Sequence, residues 1–276
     1  MQLRKVTAAS AAVLALALSA TACGGGKSDD GASGGKKITI GIKFDQPGLG
    51  QKTPQGYAGF DVDVATYVAK KLGYSPDQIE WKESKSADRE TMLKRGDVDF
   101  IAATYSITPE REKLVDFAGP YLLAHQDVLL RSNDNSIKSP ADLNKKKLCS
   151  VTGSTSAQNI KDKLAPKAQL QNYPTYSACL TGLQNKALDA LTTDDSILAG
   201  YAAQPQFKGK FKLGGFKMTN ENYGIGVKKG SPLKAKINKA LEEMVSDKSW
   251  QKAVDKNFGP AQYKNEPAPK IGDVKS

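Results

Sequence analysis

From Lys37 onward, short β-branched runs alternate with stretches in which apolar residues recur at helical spacing. Ile38-Thr39-Ile40-Gly41-Ile42 predicts a first strand. Val62, Val64, Ala65, Val68, Ala69 and Leu72 lie on one face of a helix over Asp61 to Leu72, which Gly73 stops. Thr91 to Gly96 reads as a helix end, and Val98 to Ala103 as the next strand. Leu148 to Val151 predicts a strand, Ser156 to Leu164 a helix and Ala187 to Leu191 a strand. The last two helices are predicted over Leu233 to Ser246 and Ser249 to Asn257. Such alternation marks an α/β protein with largely parallel sheets. No fixed period recurs, which excludes solenoids and propellers. The stretches Lys37 to Asp127 and Val128 to Lys217 each hold strand, helix, strand and helix, so two similar lobes are expected.

The first residues follow a different pattern. Arg4 and Lys5 precede an apolar run from Ala8 to Ala20, long enough for a signal segment and short of the roughly 20 residues that span a bilayer. The run ends in Ala20-Thr21-Ala22-Cys23, which resembles a bacterial lipobox, although Ala20 departs from the usual Leu or Val. The resemblance implies a signal peptide over residues 1–22 and diacylation of Cys23. Ordinary secretory cleavage is the alternative. Residues 23–36 are rich in Gly, Ser, Asp and Lys and are expected to form a flexible tether.

The formal charge of +11 suits anionic partners: nucleic acid, lipid headgroups or an acidic ligand. Export argues against nucleic acid, and the lysines are dispersed along the chain instead of clustered with aromatics. Cys149 and Cys179 form an even pair for an oxidising compartment and invite a disulfide; two buried thiols are the alternative.

Gly59-Phe60-Asp61-Val62-Asp63-Val64 is followed by Leu93, Gly96 and Asp99, then by Ser106-Ile107-Thr108-Pro109-Glu110-Arg111 and Val115 to Tyr121. Gly153-Ser154-Thr155, Asp189-Ala190 and Tyr223 to Val227 complete the series. The series resembles the family 3 extracellular solute-binding proteins along the whole mature body. That resemblance implies a periplasmic-binding-protein-like type II fold, two α/β lobes joined by a two-strand hinge, with the ligand in the cleft. Lobe one is expected over 37–127 plus 218–262, lobe two over 128–217, and a C-terminal tail over 263–276. The crossings are expected near Gln126 to Leu129 and Phe216 to Asn220.

An amino-acid cleft must neutralise a carboxylate and an ammonium away from water. The resemblance assigns the α-carboxylate to Arg111, whose planar donors meet both oxygens, flanked by Thr104 and Ser106. Arg111 would otherwise be a misplaced cation in the first turn of a helix. Thr155 opens a helix in Gly153-Ser154-Thr155-Ser156, where the turn serves as N-cap, anion nest or both. Asp194 matches the aspartate that pairs with the ligand ammonium; either it or Asp195 caps the following helix. Lys43 and Arg89 stand where acidic amino-acid binders place basic residues, while solvated surface charge is the plain alternative for each. The expected ligand is therefore glutamate or aspartate.

The expected partners are the transmembrane permease subunits of an ABC importer, and the membrane through Cys23. The protein is expected to be a monomer on the extracytoplasmic face of the bacterial cell membrane. Neither catalysis nor a cofactor or metal is expected: no Ser-His-Asp set, metal-ligand cluster or phosphate loop accompanies the lone His125. The competing readings are a dehydratase-like enzyme and a sensory lipoprotein on the same fold.

Overall fold

The structure is a computed structural model, and residues 36–275 of it are described. The expected signal peptide, the expected lipidation at Cys23 and the expected tether up to residue 35 lie outside the described residues.

The chain opens with β1 (Ile38–Ile42), where its apolar alternation places it. The short strands β2 (Asp45–Gln46), β3 (Gly50–Thr53) and β4 (Gly56–Ala58) then form a small antiparallel sheet. Helix α1 (Phe60–Lys71) buries the predicted face, from Val62 to Ala69, and Gly73 turns the chain away at φ 93. Next come β5 (Ile79–Glu83), α2 (Arg89–Arg95), β6 (Phe100–Ile101) and α3 (Pro109–Glu112). A 17-residue strand, β7 (Val115–Arg131), is buried along nearly its whole length.

Past β7 the chain forms β8 (Lys147–Val151), α4 (Thr155–Asn159), β9 (Gln169–Tyr173) and α5 (Tyr176–Gln184). It continues through β10 (Ala190–Asp194), α6 (Asp195–Ala202) and β11 (Phe211–Leu213). The return is made by β12 (Asn220–Lys228), α7 (Leu233–Ser246) and α8 (Ser249–Phe258). In α7 the buried residues are Ile237, Ala240, Leu241 and Met244, a stripe of the i, i+3, i+4, i+7 kind, with Lys239 and Glu242 between them exposed. Each of the three large side chains in that stripe contributes roughly 1.5–3 kcal/mol by leaving water.

Among the described residues nine strands form one continuous sheet, ordered β5-β1-β6-β12-β7-β10-β8-β9, with β11 also pairing with β7. The β5-β1-β6 and β10-β8-β9 ladders are parallel, and β12 and β7 join them through antiparallel ladders. Strand β7 pairs with β12 as far as His125 and with β10 from Gln126 to Leu129. It therefore belongs to both lobes, and the chain passes between them along β7 and again just before β12. Met218 N donates to Gln126 O, so the second passage runs beside the first.

Cys149 and Cys179 are bonded, tying β8 to α5 in the core of lobe two, which excludes the pair of free thiols. The helix expected from Ser156 begins at Thr155 and changes to π-helical turns over Ile160–Leu164. Beyond α8 the chain does not leave the body: Tyr263, Ala268 and Ile271 pack against the main core.

Candidate functional site

In lobe one, the loop after β6 is held open by a buried carboxylate. Thr104 adopts φ 46, an unusual conformation for a β-branched residue, and its N–H donates to Asp61 Oδ2 at 2.9 Å. Asp61 Oδ1 accepts from the Tyr121 hydroxyl at 2.7 Å. Burial raises the Asp61 carboxyl to about 6 despite these two donors and the cations nearby. The Thr104 hydroxyl lies 2.8 Å from Ala103 O and 3.2 Å from Gln46 Oε1.

Two arginines flank one ring beside this loop. The guanidinium carbon of Arg89 sits 4.0 Å from the centroid of Tyr105, and that of Arg111 sits 5.1 Å from it. Arg89 Nη1 donates to Ala103 O and Thr104 O, while its buried Nε has no hydrogen-bond partner. Arg111 Nη1 donates to Ser106 O at 2.8 Å, and its Nε lies 3.5 Å from Glu90 Oε1. Ser106 itself bridges to Tyr223 of β12. Lys43, just past β1, donates to Ser86 Oγ at 2.9 Å and is 5% exposed. Burial, then the charge of Arg89, holds its amine well below the usual lysine range. Burial and Arg111 likewise bring Arg89 down to about 10.

Lobe two supplies the opposite charge. Asp194 ends β10 at the N-cap position of α6, but its side chain does not cap the helix. Its Oδ2 accepts from the Tyr223 hydroxyl at 2.5 Å and its Oδ1 from Ser156 Oγ at 3.2 Å. Burial, then the nearby Glu221 carboxylate, raises the Asp194 carboxyl well above the usual range. Asp195 turns away from it and accepts from the backbone N–H groups of His125 and Ser196. Ser154 caps α4 by accepting from Ala157 N, and the Thr155 hydroxyl donates to Glu221 Oε2 at 2.9 Å. The Thr155 hydroxyl proton is thus held by the crossing strand.

The lobes touch around these groups. Arg111 Nη2 donates across to Gly153 O at 3.0 Å. Gly153 has φ 78, and a β-carbon there would lie 2.7 Å from Ala87 Cα. On the other side, Tyr201 and Ser177 donate to Asp45. A β-carbon on Gly200 would lie only 2.0 Å from Pro47 O.

A two-lobed sheet with facing charges and a double crossing is a ligand trap in form, and comparison with known proteins places it. The model of the bacterial extracellular solute-binding proteins, family 3, matches residues 38–260. The chain belongs to this family. Glutamate-binding protein GluB of Corynebacterium efficiens is 46% identical over 271 residues, covering 93% of this chain and 91% of that protein. The ABC transporter glutamine-binding protein GlnH of Bacillus subtilis is 41% identical over 215 residues, covering 76% and 77%. Among solved structures, an ancestral arginine-binding protein bound to arginine superposes with a TM-score of 0.75 at 36% identity, covering 81% of this chain and 99% of that one.

As a family 3 solute-binding protein the chain works outside the cytoplasm, and its chemistry is recognition. The structure brings Lys43, Arg89, Thr104, Ser106 and Arg111 together on lobe one, opposite Asp194 on lobe two. Thr155 stands at the edge of this group, facing Glu221. In the anion nest expected at Gly153-Ser154-Thr155-Ser156 one donor is already engaged, since Ser154 N donates to Val151 O. Reading the sequence missed Tyr105, which orders the two arginines, and Tyr223 and Glu221 on β12, which meet lobe two. Tyr105 lies between two residues the sequence does single out, so its place was readable. The buried Gln46 Nε2, Ser84 Oγ and Thr193 Oγ1, each without a partner, carried no such signal.

Proposed function

We propose that the protein binds an acidic amino acid, glutamate or aspartate, and delivers it to the permease subunits of an ABC importer. One observation supports the reading: three buried cations, Lys43, Arg89 and Arg111, gather on lobe one, and the buried Tyr176 feels both Arg89 and the Asp194 carboxyl of lobe two. An α-carboxylate on Arg111 and an α-ammonium on Asp194 balance one cation and one acid. Lys43 and Arg89 then repel each other, offset only in part by Asp61 and the acids around them, and a second negative group on the ligand relieves that repulsion. The Arg89 Nε, buried without a partner, is a donor that such a group satisfies. Thr104, Ser106 and Thr155 border the ligand and set its orientation through backbone and hydroxyl groups. GluB, similar over most of the chain, adds support.

In this reading lobe one comprises 37–127 plus 218–262 and lobe two 128–217. The change of partner along β7 supports those limits. Residues 1–22 are a signal peptide, and a diacylated Cys23 anchors a monomer to the outer face of the membrane.

Calorimetric titration with glutamate, aspartate, glutamine and arginine tests the reading. Tight binding of glutamate or aspartate is expected. Arg111→Ala should abolish it, and Arg89→Ala should shift preference toward glutamine. Each lost charge-assisted contact is worth about 1.5–3 kcal/mol, a factor of about ten or more in affinity. Preference of the unaltered protein for glutamine or arginine would sink the assignment of Lys43 and Arg89.

A further inference from the structure

The matched family region ends at residue 260, yet the residues after it are fastened to both passages between the lobes. The Tyr263 hydroxyl donates to Asp195 Oδ1 at 2.8 Å, and its ring packs on Phe258 of α8 with centroids 5.3 Å apart. Glu266 Oε1 lies 3.1 Å from His125 Nε2 on β7 and 3.0 Å from Lys217 Nζ, next to the return passage. Farther on, Asn222 of β12 exchanges two hydrogen bonds with the backbone of Lys275, at 2.7 and 3.1 Å. The segment therefore leaves a lobe-one helix, meets the first turn of a lobe-two helix at Tyr263, spans the two passages at Glu266 and ends against β12 at Lys275.

Its contact with Asp195 lies next to the site. A single oxygen, Oδ1, accepts from His125 N on β7 at 3.0 Å, from Ser196 N in its own helix at 2.8 Å and from Tyr263. Asp194 precedes it in the chain and turns the other way, toward Tyr223 and Ser156. The N-terminus of α6 is thus pinned from the side opposite the ligand by two separate elements, and one of these lies outside the family domain.

We propose that Tyr263 is a positioning residue for ligand binding: through Asp195 it fixes the turn that presents Asp194 to the ligand ammonium. The inference rests on the reading of Asp194 given above. Losing the hydroxyl leaves Asp195 held only by the backbone N–H groups of His125 and Ser196, so the turn that carries Asp194 is fixed less tightly while the cations of lobe one are untouched. The affected part of recognition is the ammonium, not the carboxylates.

The experiment compares glutamate with glutarate, the same dicarboxylate without the ammonium, by competition titration on the full chain and on Tyr263→Phe. The substitution should weaken glutamate about three- to tenfold, the effect of a charge-assisted hydrogen bond acting at one remove, and leave glutarate as it was. Unchanged glutamate affinity, or equal losses for both ligands, would overturn the role. A double-mutant cycle with Asp195→Asn gives a second readout: the two effects on glutamate should be non-additive, and additivity counts against the proposal. Asp194→Asn separates the two levels of the argument. If it weakens glutamate but Tyr263→Phe does not, only the Tyr263 role falls; if it does not weaken glutamate, the reading of Asp194 falls and the Tyr263 role with it.

Discussion

Asp61 enters the chain in Gly59-Phe60-Asp61-Val62-Asp63, at the start of a helix whose inner face is apolar, and ends fully buried. Its two oxygens hold Thr104 N and the Tyr121 hydroxyl, so a helix terminus sets the backbone of a loop that lines the cleft. The cost is electrostatic. Its folded-state value of about 6 lies above the ordinary 3.8, so its contribution to stability is complete below pH 3.8 and is lost as pH rises through about 6. The loss amounts to about 3 kcal/mol for this group. Asp61→Asn should remove that component, flattening the dependence of ligand-free stability between about pH 4 and pH 7 when urea unfolding is followed. Parallel pH profiles for the two proteins would show that Asp61 does not titrate in that range. Arg111 and Asp194 were singled out through the family resemblance, and Arg111 also as a cation in the first turn of a helix, where the dipole disfavours it. The Thr155 hydroxyl was not: its partner Glu221 lies 66 residues away, and local pattern says nothing of such a pairing.

At the scale of elements, the disulfide between β8 and α5 closes a loop 30 residues apart in a lobe that has its own smaller packing cluster around Val128, Leu148 and Ile160. Removing both cysteines as Cys149→Ala with Cys179→Ala should lower stability by about 3 kcal/mol, read from the denaturation midpoint. Equal midpoints would mean that packing alone holds β8 against α5. Elements with a strong period were placed from sequence: β1 and α7 have the limits their apolar residues predict. The sheet of β2, β3 and β4 was not, because strands of two to four residues rich in Gly and Gln have no alternation to read. Strand β7 was read as a short crossing strand; fifteen of its 17 residues are buried, so burial along it does not alternate.

The whole molecule depends on how closely the lobes meet. Gly200 lies within α6, where alanine is the better helix former by about 0.5–1 kcal/mol. Its missing side chain matters only where Pro47 O of lobe one approaches, since an added β-carbon would stand 2.0 Å from that oxygen. Gly200→Ala should therefore leave the ligand-free protein as stable as before or slightly more so, while glutamate affinity drops at least about tenfold and small-angle scattering shows less compaction on ligand addition. Undiminished affinity would show that the lobes close without that approach.

The order of strands also sets a timetable. Lobe one places β12 between β6 and β7, near the middle of its sheet, yet the chain reaches β12 only after all of lobe two. A chain emerging N-terminus first from a membrane pore thus carries lobe one as an unfinished ladder, with a gap beside β6, while the strands and cysteines of lobe two are already outside. The middle of the sequence is thus the first able to mature, and the part before it closes around a strand that arrives afterwards.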